Sequence, residues 1–294
     1  MDSDKVFTLR TVEDTFRIRE FIDYNNPKTA VVIGGGFIGL EMAENLKKRG
    51  IDVTIIQKNN QLLNVIDSDM ASFIHSKFRN EGIKLLLGLN VNDIKINEKQ
   101  VSISADCINY INADMVIVSI GVVPENTLAK DAGLSLGIKG AIKVNEKMQT
   151  SDKNIYAVGD AVEVKHYITN EKTVIALAGP ANKQARIAAD NICGINSKYN
   201  GSQGSSVIKV FDMTVASTGL TEKDCIRLGI DYHKSFSATN SHAGYYPGPT
   251  MMTVKLLYTK GEGKVLGGQI VGYKGVDKRI DILAVAIRAG MTVF

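Results

Sequence analysis

The chain of 294 residues has only three cysteines, Cys107, Cys193 and Cys225, and they lie far apart. An odd, dispersed set excludes a disulfide framework and suits a reducing compartment. There is no C-x-x-C redox pair and no Cys/His cluster at metal-ligand spacing, so no metal is expected. Each cysteine reads as a small buried or partly buried residue. Long hydrophobic runs are lacking too. No stretch reaches the length of a bilayer span, and no signal-peptide pattern is visible at the start. A cytoplasmic protein with no membrane partner is expected. Charge of one sign is also missing: 35 basic against 31 acidic residues leave a net charge of +4. The basic residues are scattered apart from Lys47-Lys48-Arg49, which suits the last turn of a helix, so no nucleic-acid partner is expected.

What is present is a glycine motif in a telling place. Residues 30–44 read A-V-V-I-G-G-G-F-I-G-L-E-M-A-E. A β-branched strand runs into Gly34, Gly36 and Gly39, which fit G-x-G-x-x-G, and a helical pattern follows at once. Gly34 allows the sharp turn, Gly36 lets backbone N–H groups approach a pyrophosphate, and Gly39 lets helix and strand pack closely. The open N–H groups and the positive end of the helix then attract the anion. An acidic residue that would bind a ribose 2′-hydroxyl should stand about 20 residues on. That place holds Gln57, followed by Lys58. Glutamine bonds a hydroxyl without repelling a phosphate, and lysine pairs with a phosphate, so NADH and NADPH both remain open.

Around this motif the chain alternates. A short strand at 6–9 precedes a helix capped by Thr11 and Asp14 in capping-box spacing, with Val12, Phe16 and Ile22 along one side. The motif helix over 37–49 stops at Gly50, a strand covers 53–57, and a second helix covers 68–80. Strands follow at 83–87, 91–96, 101–103 and 115–120. Gly121 lets the backbone pass close to a dinucleotide. A further strand is expected at 141–144, and another ends in Gly159-Asp160, placing a carboxylate at a sheet edge where it accepts bonds from ligand hydroxyls. Ala178 then opens an alanine-rich helix, with Pro180 near its start. A polar, glycine-rich joint at 199–206 separates this part from one of strands at 207–211, 215–218, 232–236, 251–258 and 265–271. Two helices at 222–228 and 277–288 give that last part an α+β character.

Taken in order, these motifs resemble the pyridine nucleotide–disulfide oxidoreductase family, closest to its coenzyme A disulfide reductase, persulfide reductase and NADH oxidase branch. The matching stretches are V-I-G-G-G-F-I-G-L-E-M-A-E, S-I-G-V-V-P at 119–124, residues 150–160 and 178–191, K-V-F-D-M-T-V-A-S-T-G-L at 209–220, S-H-A-G-Y-Y-P-G at 241–248 and L-G-G-Q-I-V-G-Y-K-G-V-D-K-R-I-D at 266–281. The resemblance implies an α/β fold: a Rossmann-like NAD(P)-binding domain with a partial FAD-binding domain, followed by an α+β dimerisation domain. It divides the chain into 1–27 (lead-in arm and part of the FAD domain), 28–124 (NAD(P)), 125–203 (remainder of the FAD domain) and 204–294 (dimerisation, truncated).

The same resemblance implies roles. Gly34, Gly36 and Gly39 would cradle the NAD(P)H pyrophosphate, with Phe37 beside them and Ile38 and Glu41 toward the nicotinamide. Gly159 and Asp160 would hold the ribityl chain of FAD, and the helix from Ala178 would face the flavin ring. Tyr245 or Tyr246 would reach the active site of the partner in a homodimer, the choice between them staying open. The implied activity is flavin-dependent, NAD(P)H-driven reduction of a disulfide or persulfide such as coenzyme A disulfide. The alternatives are an NADH oxidase reducing oxygen and a non-catalytic NAD(P)H-binding and dimerisation module. Two departures matter. The family's first glycine fingerprint and the redox cysteine that follows it do not occur here, and the C-terminal tail stops short. A fragment inactive on its own is therefore expected.

Overall fold

The structure, a computed structural model, describes residues 4–294; Met1–Ser3 of the expected arm lie outside the described residues. The chain opens with β1 (Val6–Phe7) and α1 (Val12–Asn25). Then β2 (Thr29–Ile33), α2 (Phe37–Lys48), β3 (Asp52–Gln57), α3 (Ser68–Asn80) and β4 (Lys84–Leu87) alternate. A meander of β5 (Val91–Ile96), β6 (Val101–Ala105) and β7 (Ile108–Ala113) leads to β8 (Met115–Val118). The strands β1-β8-β2-β3-β4 form one sheet, all parallel. Such strands are covered on both faces, which is why they read as continuous apolar runs. Val32, Ile55 and Ile117 share a core with Leu40 of α2 and Ile74 and Phe78 of α3. Val31, Ile56 and Val116 pack instead with Val101 and Ile103 of the meander. β7 is not legible as a strand in I-N-Y-I-N-A; it forms because β6 offers it a partner at 101–105.

The N-terminal arm is tied to the sheet. β1 pairs with β8, and Phe7 and Phe21 bring their rings to 5.2 Å between centroids, so residues 6–25 share the core of the nucleotide-binding sheet. The physical reason is edge pairing: β1 satisfies backbone groups of β8 that would otherwise stand open. On α1 the buried residue is Ile18, whereas Val12 and Phe16 are 64% and 56% exposed.

After β8 come α4 (Thr127–Asp131), β9 (Ile142–Lys143), β10 (Val162–Lys165), β11 (Lys172–Thr173) and α5 (Ala178–Ile192). The strands form a small sheet in the order β11-β10-β9. The strand expected to end in Gly159-Asp160 does not form. Tyr156 makes a single bridge to Gln149, and a 3₁₀ turn covers Gly159–Ala161. A strand needs a neighbour along its length to pair its N–H and C=O groups, and here only one residue finds one.

The last part is one antiparallel sheet with two helices: β12 (Ser206–Val210), β13 (Met213–Gly219), α6 (Glu222–Leu228), β14 (Tyr232–Asn240), β15 (Met251–Thr259), β16 (Val265–Gly272) and α7 (Val276–Ala289). The order is β12-β13-β16-β15-β14. Alternation splits its two faces. Ala216 and Ile270 pack on Val276 and Ile280 of α7, while Val215 and Val271 join the core of α2 and α3. The joint at 199–206 thus marks a change of architecture, but the hydrophobic core runs on past it. Phe211 and Phe78 meet edge-on across it, with centroids 5.5 Å apart.

Cys107 and Cys193 are exposed, against expectation, because each sits in a turn at the end of an element. Cys225 is buried. That burial, with the Asp224, Asp67 and Glu222 carboxylates beside it, pushes the thiol up to about 11. No helix among the described residues is long and apolar enough to cross a membrane.

Candidate nucleotide-binding site

The chain runs outward from β2 to β3 and β4, then returns to place β8 on the other side of β2. Ligands of open α/β sheets bind where the strand order reverses, beyond the carboxyl ends of the strands. A cleft of about 770 Å³ lies at that point, lined by Gly34, Gly36, Gln57, Lys58, Ser119 and Gly121 among others.

Each glycine of the motif has a distinct environment. At Gly34 φ is +109°, and a Cβ there would meet the carbonyl of Ser119. At Gly39 a Cβ would be driven into the Gly34 carbonyl, so α2 and β2 approach as closely as backbones allow. At Gly36 a Cβ would meet nothing: the backbone faces open space. Gly36 also caps α2 with no side-chain hydrogen bond, leaving the helix entrance free for an acceptor. Phe37 and Ile38 are half-buried and Glu41 is exposed in the first turns of α2. None of the three lines the cleft itself.

Gln57 lines the cleft and also braces the loop. It is 8% exposed, and its Oε1 accepts the Gly35 N–H at 3.0 Å. Lys58 is exposed at the rim. Ser119 is a cleft residue that the motif did not reveal: its Oγ donates toward the carbonyls of Ile33 and Gly34 at 3.0 and 3.2 Å, tying β8 to the loop. Asn64, Asn90 and Asp93 also line the cleft. Asn64 and Asn90 come from connections between elements and Asp93 from β5, and no local pattern there signals a site.

A second locus gathers Gly159, Asp160 and Ala178. The Gly159 N–H donates to Oε1 of the buried Gln184 at 2.7 Å, pinning the turn to α5. Asp160 is exposed in that turn, and Ala178 opens α5 behind Leu177, which caps it without a side-chain bond. Tyr245 and Tyr246 form a third locus on the loop between β14 and β15, 90% and 67% exposed. Arg279 on α7 holds the base of that loop by donating to the Ser241 carbonyl at 2.7 Å.

One ionic cluster has no signal in the sequence. Lys255 of β15 is fully buried, with Nζ 2.9 Å from Asp67, 2.8 Å from Asp69, and bonded to Glu222. These three carboxylates are the one group among the described residues arranged closely enough to hold a cation, and the Lys255 ammonium stands among them. Burial works to raise the Glu222 carboxyl, but bonds from Lys255, Tyr232 and Lys234 prevail and hold it at about 2. Burial works to lower Lys255, and its bonds to Asp69, Glu222 and Asp67 prevail and raise it.

Fold and cleft together define a dinucleotide-binding α/β protein carrying a second, antiparallel domain. The comparisons narrow this. Residues 2–185 match the model of the family described as pyridine nucleotide-disulphide oxidoreductase, and residues 205–294 match that family's dimerisation domain. The chain belongs to the pyridine nucleotide-disulphide oxidoreductase family. It is 42% identical over 289 residues to the NADH oxidase of Methanocaldococcus jannaschii, covering 97% of this chain and 63% of that one. It is 33% identical to the coenzyme A disulfide reductase of Staphylococcus haemolyticus, covering 99% of this chain and 65% of the relative. The crystal structure of reduced CoADR-RHD from Bacillus anthracis superposes with a TM-score of 0.95 at 50% identity, covering 98% of this chain and 52% of that one. The chain thus spans less than two thirds of the length of these relatives.

Proposed function

We propose that this chain is the NAD(P)H-binding and dimer-forming part of a flavin-dependent reductase acting on a disulfide or persulfide such as coenzyme A disulfide. The observation that carries the reading is the cleft at the strand-order reversal, with Gly36 open toward it and α2 entered without a side-chain cap. The residues fit a dinucleotide. N–H groups at the start of α2 would hold the pyrophosphate, Gly121 admits its close approach from β8, and Lys58 would meet the ribose end. Ile38 and Glu41 lie one turn further, on the nicotinamide side. The Gly159-Asp160 turn fits FAD in the same manner: Asp160 is exposed for ligand hydroxyls, and the Ala178 end of α5 offers positive potential. Nicotinamide and flavin would supply the electron-transfer chemistry, and the protein placement. Residues 204–294 would pair two copies of the chain, with Tyr245 or Tyr246 reaching the partner's site. The cytoplasm suits the unpaired cysteines.

The 42% identity to an NADH oxidase supports a second reading, with oxygen as acceptor. No cysteine present fits the reducing role. Cys225 is buried with a raised thiol, and neither Cys107 nor Cys193 lines the cleft. The chain by itself is therefore expected to bind NAD(P)H without reducing coenzyme A disulfide. An absorbance spectrum followed by NADPH titration tests this. Binding without disulfide turnover is the expected result. Robust NADPH-dependent reduction by the purified chain would refute the claim that it lacks the reducing group. Oxygen consumption with NADH would favour the second reading.

A further inference from the structure

The glycine loop does not hold itself in shape. The Gly35 N–H donates to Gln57 Oε1 at 3.0 Å, and the Gly35 carbonyl accepts the Leu63 N–H at 2.8 Å. Gln57 ends β3, and Leu63 belongs to the connection from β3 to α3. Leu63 holds a φ of +51° there while fully packed, an unfavourable backbone state for a leucine that its surroundings must enforce. His75 of α3 holds the connection beside Leu63 by accepting the Leu62 N–H, and the C-terminal sheet domain holds it on either side. Lys223 of α6 donates from Nζ to Gln61 Oε1 at 2.7 Å. Further along, Asp67 and Gln269 of β16 exchange two bonds: Asp67 N–H to Gln269 Oε1 at 2.8 Å and Gln269 Nε2 to Asp67 Oδ2 at 2.6 Å.

Donor and acceptor rules give this chain of bonds a direction. An ammonium only donates, so Lys223 requires the Gln61 amide oxygen toward itself. That turns Gln61 Nε2 onto the Ile66 carbonyl at 2.9 Å. The backbone carbonyl of the same residue, Gln61, receives Gln57 Nε2 at 3.4 Å. The Gly35 N–H only donates, so Gln57 presents Oε1 to it and turns Nε2 to the Gln61 carbonyl.

We propose that Lys223, in the C-terminal domain, is a positioning residue for nucleotide binding: acting through Gln61 and Gln57, it fixes the Gly35 peptide that shapes the pyrophosphate cradle. This rests on the reading that the cleft binds NAD(P)H. It makes the sheet domain part of the cofactor site without any contact to the cofactor. Gln57 in turn acts as a brace for the loop and not as a ribose ligand. Lys223 is itself exposed, and its replacement removes a donor from Gln61 Oε1 without removing apolar core.

The test uses the full chain as wild type, Lys223→Met and Lys223→Arg. NADPH affinity is read by fluorescence titration. Amide hydrogen exchange over residues 34–36 is read without nucleotide, and thermal midpoints are compared. The expected result is an affinity about three- to tenfold weaker in Lys223→Met, since the loop must then be ordered by the nucleotide itself. Faster exchange confined to the loop and the 57–67 connection accompanies it, with a fall in midpoint of no more than a few degrees, and Lys223→Arg restores affinity and exchange. Wild-type binding with no change in affinity or loop exchange in Lys223→Met overturns the proposal while leaving the cleft reading intact. A lowered midpoint with exchange accelerated throughout, unrescued by arginine, also overturns it, as a purely structural effect. Failure of the wild type to bind NADPH or NADH removes the cleft reading and this proposal together.

Discussion

Gly36 and Gly39 stand three residues apart in one motif, yet the structure asks opposite things of them. A methyl group at Gly39 collides with the Gly34 carbonyl, so Gly39→Ala should lower stability by about 1–3 kcal/mol in a urea titration. A methyl group at Gly36 meets no protein atom, and its φ of −85° suits alanine. Gly36→Ala should therefore keep the wild-type midpoint and weaken NADPH binding about tenfold or more, since only the ligand would meet the new methyl. Equal loss of stability in both variants would refute this division of roles. His75 adds a pH dependence. Its Nε2 accepts the Leu62 N–H at 3.0 Å, and burial, with Arg79 next, lowers its pKa below 6.5. A lowered histidine favours the fold fully above 6.5 and loses that contribution as pH falls below it, because the unfolded chain takes the proton first. A comparison of urea midpoints at pH 8 and pH 5.5 should show a smaller fall in His75→Gln than in wild type.

Elements with strong local signals form where the sequence places them. Thr11 and Asp14 exchange both capping-box bonds at the head of α1, and Thr221 and Asp224 repeat the arrangement at α6. Thr221→Ala should cost about 1 kcal/mol in thermal or urea unfolding. α3 occupies residues 68–80 as expected, because Met70, Ala71, Ile74 and Phe78 fall on one buried face. Elements that depend on a distant partner are the ones missed. β7 has isoleucines and asparagines repeating every third residue, Ile108 and Ile111 with Asn109 and Asn112, which breaks the alternation of a half-buried strand. The segment before Gly159 has strand composition and no strand beside it. Val12 and Phe16 share a helical stripe with Ile22, but the sheet lies under only one end of α1.

At the scale of the whole molecule, two architectures share one core and one buried charge cluster. Lys255→Met would leave Asp67, Asp69 and Glu222 facing one another without their cation. A loss of about 3–5 kcal/mol is expected from urea unfolding at pH 7, as for any buried ion pair deprived of one partner. The pH profile carries a second signature. Glu222 is held at about 2 against an ordinary 4.5, so its contribution is complete above 4.5 and fades as pH falls toward 2. Lys255→Met should flatten wild-type acid sensitivity across that window. An unchanged acid limb would contradict the assignment.

The sequence by itself determined the class of fold, the glycine turn, and nearly every helix and strand of the C-terminal part. These rest on periodicity, caps and backbone permissiveness, which act over a few residues. Only the tertiary structure decided where β1 belongs, that Gln57 turns inward to Gly35, and that Lys255 is buried among carboxylates 33 to 188 positions away. Strand pairing, amide orientation and the burial of charge are settled by whichever groups the fold brings alongside, and no local pattern encodes that choice.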